Sequence, residues 1–121
     1  MNLGSPDSTE VPDVRKYLNE FLTDRRVIDS WLVRNLLVRT VIVPKRAPES
    51  AKAYRTIWSK NGSPLVHTTI ELAQKLQEQL PEPVSVAMRY GNPDMESAFE
   101  ALLKKTPDIQ EGFKIYLGRY N

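Results

Sequence analysis

Apolar residues recur along this chain at two spacings, and the change from one to the other divides it into helices and strands. Val14, Tyr17, Leu18, Phe21 and Leu22 fall at i, i+3, i+4, i+7 and i+8, one apolar face of an amphipathic helix. Thr9 stands where an N-cap is wanted, and Asp24-Arg25-Arg26 breaks the pattern. From Trp31 to Val43 the chain is apolar nearly all round, which predicts a helix ended by Pro44, although Val41-Ile42-Val43 also suits a strand. Such a segment is either a buried core helix or an exposed apolar lip for a ligand, partner or membrane surface. Ala51, Tyr54, Ile57 and Trp58 predict a short helix after Lys45-Arg46 and Ala47-Pro48-Glu49-Ser50. The next helix takes Ser63 as N-cap and Pro64 as its first residue, carries Leu65, Thr69, Leu72, Ala73, Leu76 and Leu80 on one side, and stops at Pro81-Glu82-Pro83.

Period two then takes over. Val84, Val86 and Met88 alternate with Ser85, Ala87 and Arg89, a strand that runs into the turn Gly91-Asn92-Pro93. Asn92 is expected to cap a last helix with Pro93 at its first position, burying Met95, Ala98, Phe99, Leu102 and Leu103. Thr106-Pro107-Asp108 reads as a loop and Phe113 to Leu117 as a final strand. At the other end, Asn2 to Ser8 are turn-formers apart from Leu3 and read as a loop that should follow a strand. Strands alternating with helices imply an α/β layer. The helical stretch from Val14 to Trp58 is too long for an ordinary crossover and reads as an insertion over the ligand edge. That edge lies outside the carboxyl ends of the strands in open α/β sheets, which is where Arg89 and Tyr90 stand.

Composition narrows the function classes. A length of 121 residues suffices for one small domain, and 26% charged residues is ordinary for a soluble protein. A net charge of +2 without a basic run interleaved with aromatics argues against nucleic acid. The lack of cysteine excludes a disulfide framework, a thiolate metal site and a cysteine nucleophile, and suits the cytoplasm. A single histidine, His67, excludes a multi-histidine metal site within one chain. No apolar run is long enough to span a bilayer, and Met1-Asn2-Leu3-Gly4 is no signal peptide.

The cations carry the candidate chemistry. Lys45, Arg46 and Arg89 could clamp a carboxylate-bearing ligand, each charge-assisted hydrogen bond contributing roughly 1.5–3 kcal/mol. The competing readings are a solvated surface pair for Lys45-Arg46 and a structural salt bridge for Arg89. Tyr54 either presents its hydroxyl to a ligand or packs in the core. Ser63 is explained by capping alone, yet a helix start also exposes N–H groups to an anion. His67 in the same first turn is given no role. Glu10 and Asp13, and Glu96 and Glu100, suit first turns and polar helix faces. The sequence holds no nucleophile–base pair and no metal-ligand cluster. Residue by residue it supports a ligand-binding α/β domain.

Taken together, several motifs resemble the opening of the ferrochelatases. They are Asn2-Leu3-Gly4-Ser5-Pro6 before the Val14-Arg15-Lys16-Tyr17-Leu18 helix, Phe21-Leu22-Thr23-Asp24-Arg25-Arg26-Val27-Ile28-Asp29, Ala53-Tyr54-Arg55-Thr56-Ile57-Trp58, Gly62-Ser63-Pro64-Leu65 and Met88-Arg89-Tyr90-Gly91-Asn92-Pro93. The resemblance runs from Asn2 to about Asp108. It implies a partial Rossmann-like, chelatase-type lobe over residues 1–121, with a helical lip insertion at 14–58 and a strand-helix-strand unit at 84–117. It implies insertion of ferrous iron into a porphyrin, the iron being substrate and no cofactor being held by this chain. The residues matched to porphyrin contacts are Leu3, Lys45, Arg46, Tyr54, Ser63 and Arg89. Residues 31–43 match a lip that admits porphyrin and touches membrane from the cytoplasmic side. The departures set further expectations. The family's proton-accepting histidine and its acidic partner belong to a later part of its length, and His67 does not match that motif. Met1 stands where the family's first strand should be finishing, so that strand is expected to be missing. Gly112 to Asn121 follow the family pattern poorly, which suggests a truncated product. Such a chain is expected to bind porphyrin weakly at best without metalating it. The alternatives are a non-catalytic porphyrin-binding or interaction module, a chelatase for another metal or tetrapyrrole, or no stable fold.

Overall fold

A computed structural model describes residues 1–28 and 30–106, Arg34 by its backbone alone. Two strands, β1 (Asn2–Ser5) and β2 (Met88–Gly91), lie side by side in parallel, with Asn2 opposite Met88, Gly4 opposite Tyr90 and Ser5 opposite Gly91. Four α-helices accompany them: α1 (Val11–Leu22), α2 (Val43–Ile57), α3 (Pro64–Gln77) and α4 (Met95–Lys105). A π-helix, Val33–Ile42, leads without a break into α2. The architecture is therefore mixed α/β, as the alternation of periods implied.

The opening residues correct one expectation: Asn2 to Ser5 form a strand, not a loop. Their turn-forming composition has a packing cause. Gly4 sits at φ +114 so close to β2 that a Cβ on it would lie 1.8 Å from the Tyr90 carbonyl oxygen, so only glycine permits the approach. The alternating run from Val84 is a strand only from Met88 onward. Asn2 N–H donates to the Ala87 carbonyl at 3.0 Å, and no described strand lies beside Val84 to Val86. Val84 N–H instead donates to the Gln77 side chain at 2.7 Å. The expected final strand, Phe113 to Leu117, lies outside the described residues.

The helix boundaries moved for local reasons. Glu10, not Thr9, occupies the N-cap of α1, while the Ser8 hydroxyl accepts from Glu10 N–H at 3.1 Å. Pro44 does not end the apolar segment. It falls in the first turn of α2, where a missing N–H costs nothing, and marks the change from π to α winding. The predicted short helix at 51–58 is thus the second half of a 15-residue one, and Lys45 and Arg46 lie on its first turn. At the other end, Asp94 rather than Asn92 caps α4, accepting from Ser97 N–H at 2.7 Å. The Asn92–Pro93 bond is cis, and Pro93 stays outside the helix.

The core lies between α1, α2 and the sheet: Val14 and Tyr17, Val43, Ala47 and Ala51, Met88 and Tyr90, joined by Val38 and Ala98. Alanines every fourth residue let α2 approach α1 closely. The apolar side of α3 does not join this core, contrary to its pattern. Leu65, Leu72, Leu76 and Leu80 are exposed, because the packing of α3 among the described residues is chiefly along β1. In α4, likewise, Ala98 is buried while Met95 and Phe99 are exposed. The segment from Trp31 is largely exposed: Trp31 is 67% exposed and Leu32, Leu36, Leu37 and Val41 stand in the open, while Val38 and Val43 reach the core.

Candidate functional site

The loops that leave the two strands enclose a pocket of about 470 Å³, lined by Pro6 and Asp7 after β1, Asn92 after β2, and Trp58, Ser63 and His67 before and within α3. Both strands thus end at one concave edge, the place a parallel sheet offers a ligand. The Asn92 amide donates to both Asp7 carboxylate oxygens, at 2.8 and 3.0 Å, which ties the two loops together. Gly91 N–H donates to Glu20 at 2.8 Å, tying the strand end to α1. The far wall is a tight turn in which Ser59 and Gly62 exchange backbone hydrogen bonds of 3.1 and 3.0 Å. Ser63 follows it, buried, at the N-cap of α3. Its side chain makes no capping bond, so capping does not account for it. His67 stands one turn on with Nε2 2.6 Å from the Asn61 amide nitrogen and Nδ1 3.8 Å from Glu71. An amide donor there assigns Nε2 as acceptor.

Arg89 is held, not waiting. Its Nη2 donates to Asp24 Oδ2 at 2.9 Å and its Nε to the Tyr90 hydroxyl at 2.9 Å. The Tyr90 hydroxyl donates in turn to the same Asp24 oxygen at 2.8 Å, closing a triangle. Asp24 Oδ1 accepts from Arg26 N–H at 2.7 Å. The Arg89 bond, then the Arg26 N–H, hold the Asp24 carboxyl far below the usual range, and the same pairing raises Arg89. The salt-bridge reading of Arg89 is therefore correct. The ion pair leaves Nη1 without a hydrogen-bond partner among the described residues.

Tyr54 belongs to a chain of rings. It meets Trp58 edge-on at 6.1 Å and Tyr17 edge-on at 6.4 Å. Tyr17 stacks with Phe21 at 6.3 Å, and Phe21 meets Tyr90 edge-on at 5.3 Å. The chain runs from the pocket wall at Trp58 to the Arg89 triangle. Tyr17 donates to the Gly4 carbonyl at 3.2 Å, and burial foremost pushes its hydroxyl up to about 12. Burial raises Tyr54 as well. Tyr54 is half-buried in this chain of rings, and one side of it borders a shallow hollow with Ser50, Ala53 and Ile57. Arg46 lies on the same stripe of α2 as those three, at spacings of four, seven and eleven residues.

The structure thus groups Ser63 with the pocket, Tyr54 one ring away from it, and Arg46 on Tyr54's helix. Lys45 and Leu3 are exposed and outside the 470 Å³ pocket. Asp24, Asp7 and Trp58 were not singled out by sequence. Asp24 lies 65 residues from its partner Arg89, and local spacing carries no sign of such a pair. His67, given no role, is in the pocket wall. Ser5, at the end of β1, buries its hydroxyl without a hydrogen-bond partner among the described residues. No group of three potential metal-ligating side chains occurs among them.

Comparison with known proteins gives a consistent result. The sequence profile of the ferrochelatases matches residues 1–114. The chain is 57% identical over 101 residues to the ferrochelatase of Opitutus terrae, covering 80% of this chain and 29% of that protein. It is 50% identical over 104 residues to that of Pseudomonas putida, covering 84% and 30%. It is 45% identical over 109 residues to that of Escherichia coli, covering 88% and 34%. The chain therefore spans about a third of the length of these curated relatives.

Proposed function

The chain belongs to the ferrochelatase family, and from that premise we propose that it serves insertion of ferrous iron into a porphyrin, its own share being to hold the macrocycle. The described residues form part of a Rossmann-like lobe, one wall of a cleft, with 14–58 as its lip-bearing insertion. One observation carries this reading. The exposed apolar lip runs as one continuous helix into the basic turn Lys45-Arg46, and the same helix ends at Tyr54 and Trp58 beside the pocket. A flat apolar ring with carboxylates at its rim needs that combination: apolar area for the ring, cations for the rim.

In this reading Leu3, Tyr54 and Ser63 contact the macrocycle, and Lys45, Arg46 and Arg89 meet its carboxylates. Iron arrives as a substrate, and no residue of this chain is assigned to it. The lip also supports contact with a membrane surface from one side; no helix among the described residues is long and apolar enough to cross one. The test mixes the full chain with protoporphyrin and zinc, a stand-in for ferrous iron, and records visible spectra. A saturable Soret shift, weakened by Arg46→Ala, is expected, without faster collapse of the four-band free-base spectrum to two bands. Faster collapse would place a proton acceptor within these residues. A shift with no metalation under any supplementation would favour a non-catalytic porphyrin-binding module. The absence of any shift would sink the proposal.

A further inference from the structure

The Arg89 triangle has more order than a surface ion pair needs. Asp24 Oδ2 accepts from both Arg89 Nη2 and the Tyr90 hydroxyl, and that hydroxyl accepts from Arg89 Nε. Two of the three guanidinium nitrogens are fixed by partners on two elements, and the Arg89 charge lies 5.4 Å from the Tyr90 ring centre. Tyr90 itself is buried and clamped by Phe21. Asp24 is fixed in turn by Arg26 N–H. What remains without a hydrogen-bond partner among the described residues is Nη1.

We propose that Asp24 is a positioning residue for Arg89: it holds the guanidinium in one orientation so that its free edge meets a porphyrin carboxylate already ordered. The inference rests on the porphyrin reading above and deepens it. An unheld arginine must give up rotamer freedom when it binds. That ordering costs about 0.5–1.5 kcal/mol per side chain, so pre-orienting it is worth roughly two- to tenfold in affinity. Asp24 also has an opposing effect, since its charge competes with the ligand's carboxylate for the same cation. The geometry favours positioning over competition: Asp24 takes Nη2 and not Nη1. The Arg89 pairing holds the Asp24 carboxyl below its usual range, in keeping with an ionised pair near neutral pH.

The experiment compares protoporphyrin with its dimethyl ester, binding each to the full chain by Soret titration. Wild type should prefer the diacid, and Arg89→Ala should reduce that preference, leaving the part that Lys45 and Arg46 supply. Asp24→Asn should weaken diacid binding roughly two- to tenfold and leave ester binding unchanged, a split that general loosening of the fold would not produce. Asp24→Glu, which keeps the carboxylate, should restore part of the loss. Should Asp24→Asn lose its cooperative melt, Tyr90→Phe decides instead. It keeps the buried ring, removes only the bridging hydroxyl, and should shift the diacid in the same direction. Tighter diacid binding in Asp24→Asn, or equal changes for diacid and ester, would overturn the inference. A wild-type chain without diacid preference would overturn the reading of Arg89 as a carboxylate contact, and the positioning role with it. A preference that depends on Arg89 but not on Asp24 or Tyr90 would overturn the positioning role alone.

Discussion

Replacing Gly4 by alanine tests the sheet on which the site is built. The added Cβ would meet Tyr90 carbonyl oxygen at 1.8 Å, its carbon at 2.9 Å and its nitrogen at 3.3 Å. All three are backbone atoms of β2 and cannot swing aside. Gly62→Ala is the control, because Gly62 also has a left-handed φ, +88, but nothing within 4 Å of its Cβ position. Both substitutions carry the left-handed penalty of about 1–2 kcal/mol. Both regain about 0.4–1 kcal/mol from a stiffer unfolded chain. Gly62→Ala should therefore cost about 1 kcal/mol. Gly4→Ala adds overpacking of about 1–3 kcal/mol, at the upper end here because the strands must part. The sum is about 3 kcal/mol or more, a large share of the roughly 5–15 kcal/mol typical of a domain. Thermal melts followed by circular dichroism should show Tm lower by roughly 4–8 °C for Gly62→Ala and roughly 12–24 °C for Gly4→Ala. Gly4→Ala should also lose the pocket between the strand ends, and with it the porphyrin-induced Soret shift. If the two variants melt together, β1 does not lie against β2 at Gly4, and the placement of the site fails with it.

Other outcomes follow from single residues. Met88 is 1% exposed, so Met88→Ala should cost about 2–5 kcal/mol in denaturant unfolding; a cost under 1 would mean that this core is loosely packed. Asp24 has a folded carboxyl value below the unfolded one of about 3.9. Its contribution is therefore full above that pH and lost as pH falls through the folded value, so the Tm gap between wild type and Asp24→Asn should narrow below about pH 4. A gap constant from pH 7 to pH 2 would show that the charge is irrelevant. Tyr17, pushed up to about 12, should ionise above the ordinary tyrosine range in an ultraviolet titration, and its contribution to stability should fall as pH rises past about 10, where this tyrosine gains charge in the unfolded chain alone; a Tyr17→Phe protein with an unchanged titration end would contradict this. Trp31, 67% exposed, should shift its fluorescence to the blue on anionic phospholipid vesicles, and Leu36→Asp should abolish the shift; binding that survives the aspartate would move the membrane contact elsewhere.

How far the sequence could be read depended on the range of the interaction. The amphipathic run from Val14 to Leu22 is α1 almost to the residue, because its cause is local: five apolar side chains on one face and an acid in the first turn. Ser63 and Pro64 likewise open α3 where the sequence placed its start, although the Ser63 side chain makes no capping bond. The exposed segment from Trp31 could not be assigned to lip or core from hydropathy, because both are apolar all round. The structure draws Val38 and Val43 inward and leaves Leu36 and Leu37 exposed. The same limit explains α3, whose leucine side reads as a core face but is only partly covered, by β1 near Thr69.

The sequence by itself determined the α/β alternation, the helix faces, the family, and the residue types able to meet an apolar, carboxylate-bearing ligand. Those depend on periodicity, capping and motif order, which are written along the chain. Only the tertiary structure decided that Asn2 to Ser5 are a strand, since a strand exists through its partner, and that partner lies more than eighty residues away. Only it showed that Arg89 is matched by Asp24, that Asp7 and Asn92 join the strand ends, and that Trp58, Ser63 and His67 share one wall. Pairings of that kind arise where folding brings distant backbone together, and the order of residues carries them in no local pattern.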